Sequence, residues 1–74
     1  MFRTYLIRAK KGDMMYFIYE EIVGRDSMVI THKCEMNDGL ENVFIQVRES
    51  MVNYFTEICE VYGIVIVWCA REAA

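Results

Sequence analysis

His32 and Cys34 stand two residues apart, and Cys59 and Cys69 add two further thiols. Imidazole and thiolate groups are zinc ligands, and a histidine beside a cysteine can activate it as a nucleophile. The spacing supports neither chemistry. Structural zinc sites are built from close pairs such as C-x2-4-C, and this chain offers a single close pair. A nucleophile needs an exposed thiolate, a base in hydrogen-bond reach and a third group to orient the base, and the sequence marks none of these. His32 and Cys34 are therefore expected in the core, with the cysteines acting as small hydrophobes.

Glu20 and Glu21 are adjacent, and neighbours on a strand point to opposite faces, so they cannot act together on one substrate. The glycines at 12, 24, 39 and 63 are scattered as turn and cap residues and form no phosphate-binding loop. No catalytic, cofactor-binding or metal-binding residue is expected, and the chain is read as non-enzymatic.

The elements around these residues follow from periodicity. Residues 2–10 alternate and carry Phe, Tyr, Leu and Ile, which predicts a strand. Lys11-Gly12-Asp13 reads as a tight turn, and residues 14–23, rich in β-formers, as a second strand. Residues 27–36 alternate best and predict a third. Asp38 and Glu41 fit a capping box, and Leu40, Val43, Phe44, Val47, Met51, Tyr54, Phe55 and Ile58 follow at helical spacing. A helix over 39–62 is expected, ended by Gly63, then a buried strand over 64–70 and a short polar tail.

The result is one α+β domain spanning residues 1–74. Its expected order is β-β-β-α-β: a four-stranded, mostly antiparallel sheet in spatial order 3-2-1-4, with one long helix packed on one face. The last strand is expected to run parallel to the first.

Turn parity then sorts the faces. Tyr5, Ile7, Ala9, Met14, Tyr16, Ile18, Met28, Ile30, His32 and Cys34 are expected beneath the helix. The other face has nothing to cover it and becomes apolar and aromatic toward the first two strands. Such patches mark interaction sites. The expected partner interface is Phe2, Leu6, Arg8, Met15, Phe17, Tyr19 and Lys33. Glu49, Glu57 and Glu60 on the outer side of the helix form a second candidate, an acidic docking face for a basic partner.

Composition narrows the classes. The sequence is 55% hydrophobic, above the usual share of roughly 45–50%. That is more than one thin core takes up. No apolar stretch reaches membrane-spanning length, and the charged N-terminal residues do not form a signal-peptide core. Three isolated cysteines point to reduced thiols and a cytoplasmic protein. A net charge of −3 argues against a nucleic-acid binder.

The expected function is a protein-binding module acting as inhibitor, regulator or adaptor by masking a partner surface. In size and charge alone the chain is similar to small accessory proteins of phages and mobile elements. Two alternatives remain: a homo-oligomer, such as a homodimer, packed through its open sheet faces, and a single-stranded nucleic-acid binder using aromatic residues of the sheet.

Overall fold

A computed structural model of the chain describes residues 1–70, so the polar tail expected at 71–74 lies outside the described residues. The elements are β1 (Phe2–Lys10), α1 (Lys11–Phe17), β2 (Met28–Glu35), β3 (Leu40–Arg48), α2 (Val52–Tyr62) and β4 (Val65–Cys69). A π-helical turn, Ile18–Ile22, continues α1, and a 3-10 turn, Glu49–Met51, leads into α2. The sheet order is β2-β3-β1-β4, with every neighbouring pair antiparallel. This β-α-β-β-α-β connectivity is the split βαβ, or ferredoxin-like, arrangement: an α+β fold with two helices on one face of the sheet.

Two segments exchange roles relative to the expected β-β-β-α-β order. Residues 14–23, expected as a strand, are helical as far as Ile22. Met14, Phe17 and Ile22 are buried and Ile18 partly so, while Met15, Tyr16, Tyr19 and Glu20 are exposed. That is the three-to-four spacing of a helix, and burial along it overrides the β-forming residue types. Lys11-Gly12-Asp13 is the first helical turn, entered directly from extended Lys10.

Residues 40–48 are a strand, not the first half of a helix 39–62. Their apolar positions fit both periods, but Val43, Ile45 and Val47 are β-branched and share one face at a period of two. Asp38-Gly39 belongs to a hairpin and not to a capping box. Gly39 has φ +82°, and the Met36 N–H donates to the Leu40 carbonyl at 2.8 Å. With a central strand in the place of the helix, the 3-2-1-4 order gives way to 2-3-1-4. The last strand does lie beside the first, but antiparallel to it.

The expected helix end holds. Gly63 sits at φ +72°, the Ile64 N–H reaches the Cys59 carbonyl at 2.8 Å, and the Gly63 N–H reaches Glu60 at 3.2 Å. This pattern satisfies the last carbonyls of α2.

The core lies between the sheet and the helices. Tyr5, Ile7 and Ala9 of β1 and Val43, Ile45 and Val47 of β3 meet Met14, Phe17, Phe55, Ile58 and Cys59. The Phe55 ring is 4.9 Å from that of Tyr5 and 6.4 Å from that of Phe17, centre to centre. Tyr16 and Cys34, expected in this core, are exposed, as is His32.

A bulge explains His32 and Cys34. Met28 pairs with Val47 and Ile30 with Ile45, but the register shifts before His32, which pairs with Phe44. Thr31 is the extra residue. One added residue turns every later side chain to the other face. Lys33 and Glu35 therefore lie on the helix side, opposite Val43 and Glu41, and His32 and Cys34 on the open side.

The helices are joined by a polar contact that pattern reading missed. Glu21 in the π turn accepts hydrogen bonds from Tyr54 at 2.7 Å and Tyr62 at 2.8 Å. These two donors hold its carboxyl below the ordinary 4.5, and Glu21 in turn pushes Tyr62 up to about 12. A carboxyl lowered by folding contributes stability above its unfolded value and loses it as pH falls through the folded one. Glu21→Gln is therefore expected to be less stable than the parent at neutral pH. The gap should narrow as pH drops below about 4.5. Urea unfolding from pH 7 to pH 3 checks this; a pH-independent gap would refute it.

Candidate functional site

The outward side chains of the four strands form a face that no described residue covers. The two central strands alternate cleanly. β1 presents Phe2, Thr4, Leu6, Arg8 and Lys10, and β3 presents Leu40, Asn42, Phe44, Gln46 and Arg48, because their alternate positions are in the core. β4 carries a register shift opposite Leu6 and Ile7, so both Val65 and Trp68 face outward, beside Arg8 and Leu6 respectively.

Register assembles a row across the whole sheet. His32 pairs with Phe44, Phe44 with Leu6, and Leu6 with Trp68. At about 4.8 Å per strand the row spans roughly 14 Å. Trp68 is 51% exposed, and the His32 and Phe44 rings are 6.3 Å apart. Polar rows flank it: Cys34, Asn42 and Arg8 on one side, Gln46 and Thr4 on the other. Arg8 Nε donates to Asn42 Oδ1 at 2.8 Å, and the Arg48 guanidinium lies 5.1 Å over the Phe2 ring.

Of the expected interface residues, Phe2, Leu6 and Arg8 share this face. Phe17 does not; it is fully buried beneath the sheet and cannot anchor a partner. Met15 and Tyr19 lie on the exposed side of the first helical segment, with Tyr16. Lys33 is turned to the helix side by the bulge. The sequence leaves Trp68 open as one of two possible outward faces of the last strand, and it does not place Phe44 or His32 here. The alternation of residues 40–48 could have revealed Phe44, but nothing in the sequence marks the bulge.

The acidic candidates do not form a single surface element. Glu57 and Glu60 are exposed on α2, whereas Glu49 precedes it in the 3-10 turn and holds Arg3 at 2.9 Å.

A cleft of about 300 Å³ opens between α1 and the end of the sheet, lined by Lys11, Met15, Lys33, Glu35 and Glu41. Lys11 and Glu35 neutralise each other at 2.7 Å, and both are well exposed. Such a solvated pair contributes little energy and offers no isolated acid or base.

The three thiols lie apart. Cys34 is exposed on the open face, Cys59 is buried in α2, and Cys69 packs against the core from β4. Among the described residues, no three His, Cys, Asp or Glu side chains are placed to hold a metal ion. Burial pushes the Cys59 thiol up to about 12. In the native protein a thiol reagent is expected to modify Cys34 quickly and Cys59 only as the chain unfolds. Peptide mapping of the labelled protein checks this, and early label on Cys59 would contradict the burial.

Compared with known proteins, the chain matches no family model, no curated protein and no solved structure. Among the described residues no helix is long and apolar enough to cross a membrane.

Proposed function

We propose that this chain is a small non-enzymatic binding module, which masks or bridges a surface of another macromolecule through the open face of its sheet. The observation that carries this reading is the cross-sheet row His32, Phe44, Leu6 and Trp68. Contiguous apolar surface of this kind is where partners bind, and aromatic anchors dominate the energy of such contacts. Phe17 and Phe55 fill the core, whereas the Phe44 and Trp68 rings point away from it and have no packing role beneath the sheet. The same reading sets the module in a reducing cytosol, supported by three thiols outside any disulfide.

The test compares the two sides of the molecule. A photoreactive amino acid replaces Gln46 on the open face, and in a second variant Glu57 on α2; both positions are exposed. Irradiation in the source cell should give a macromolecular adduct from position 46 and little from position 57. Adducts confined to position 57 would assign the work to the helix side instead.

A further inference from the structure

We infer that the partner held on the open face is a single-stranded nucleic acid, RNA or DNA, bound by stacking on the ring row and by cations spread along the same face. The inference rests on the open face being the working face, and it names what that face takes.

Charge is segregated across the sheet. Among the described residues Arg3, Lys11 and Arg25 are paired with Glu49, Glu35 and Glu21. Among the described residues no carboxylate pairs with Arg8, Lys10, Lys33 or Arg48, and three of these four, Arg8, Lys10 and Arg48, are on the open face. No strand residue of that face is acidic. The net charge of −3 thus averages a basic face with a strongly acidic remainder, and it is the local field that selects a partner.

That field calls for an anion. A second copy packed face to face would set each cation against the same patch, since a two-fold contact is self-complementary. It would bury Arg8, Lys10 and Arg48 of both copies against a face whose strands carry no carboxylate. An acidic protein would satisfy the cations and pack on the rings, but it carries no repeating pair of flat π face and anion. A single strand uses both. Every base has a π face that stacks on Trp, Phe or His, and its phosphates need cations alongside. Asn42, Gln46 and Thr4 flank the row with hydrogen-bonding groups for base edges or sugars. A duplex hides its base faces and is not accommodated.

The chain's single tryptophan sits in the row, so binding reports itself. Fluorescein-labelled mixed-sequence oligonucleotides of about 12 nucleotides, single-stranded RNA, single-stranded DNA and duplex DNA, are titrated with the full chain. Anisotropy and Trp68 emission are followed as salt is raised. One or both single strands should bind, quench Trp68 and outcompete the duplex. The logarithm of affinity should fall with the logarithm of salt with a slope of about −2, as expected for three phosphate contacts on a single strand. Trp68→Ala should weaken binding roughly tenfold. Lys10→Glu combined with Arg48→Glu, both exposed positions, should weaken it further and flatten the salt slope. Tyr19→Ala, on the helix side, should leave binding unchanged, and circular dichroism confirms that each variant is folded.

Absence of saturable single-strand binding at low salt, or binding indifferent to the Trp68 and charge variants, overturns the inference. If position 46 then still crosslinks to a protein, the open face remains the working face and only the nucleic acid is wrong. If position 46 gives no adduct at all, the binding-module reading fails with it.

Discussion

Phe17→Ala is expected to remove a large part of the domain's stability. The ring is fully buried, packs edge-on against Phe55 and Tyr62, and ties the first helical segment to the second. Removing a buried phenylalanine costs about 3–5 kcal/mol, from lost transfer energy and the cavity left behind. A domain of this length has roughly 4–11 kcal/mol to lose, at about 0.05–0.15 kcal/mol per residue. The variant should show a large fall in urea midpoint and broadened amide resonances. An unfolding midpoint near that of the parent would mean that Phe17 is not in the core. Phe44→Ala makes the contrast: the same residue type, only partly buried on the opposite face, should cost less.

Ile45→Asp should abolish the fold at neutral pH. Ile45 is completely buried on a central strand, between Tyr5 of β1 and Ile30 of β2. No charged side chain stands opposite it in either register. A carboxylate there must ionise without a partner or take up a proton. Taking the proton at pH 7 costs about 4 kcal/mol from the unperturbed aspartate value near 3.9. Loss of the apolar side chain adds roughly 2–5 kcal/mol. Together, at about 6–9 kcal/mol, these are comparable with the stability expected of the whole domain. Far-UV circular dichroism at pH 7 should show a largely unfolded chain. A cooperative thermal transition close to that of the parent would show that this position is not enclosed.

Three of the four strands, the α2 end and most of the β1 core are legible in the sequence, because single signals point one way there. Tyr5, Ile7 and Ala9 alternate, and Gly63 follows the last helical residue. The failures come where two signals overlap. Met14, Phe17, Ile18 and Ile22 have helical spacing but strand-forming types, and there the spacing decides the structure. Val43, Phe44 and Val47 fit a helix, while Val43, Ile45 and Val47 fit a strand; Asp38-Gly39 separates the readings only as a hairpin signal. The candidate site suffered from both errors. Phe17 was drawn outward by a strand that does not exist, and Phe44 was hidden in a helix that starts only at Val52. Lys33 shows a different limit. Its side depends on a one-residue bulge that leaves no mark in residue types. The Glu21 contact with Tyr54 and Tyr62 joins residues 33 and 41 apart, beyond any local pattern.

The irregularities in β2 and β4 bear on how the protein behaves when it is concentrated. These are the two outermost strands, and each breaks register once, β2 around Thr31 and β4 opposite Leu6 and Ile7. A straight edge would be a template for another strand, and through repetition for a fibre. A broken edge cannot continue the ladder past its bulge, and Lys33 and Glu35 place charge on the β2 side as well. Lateral growth is thereby hindered at both edges of a sheet whose broad face no described residue covers, in a sequence more than half hydrophobic.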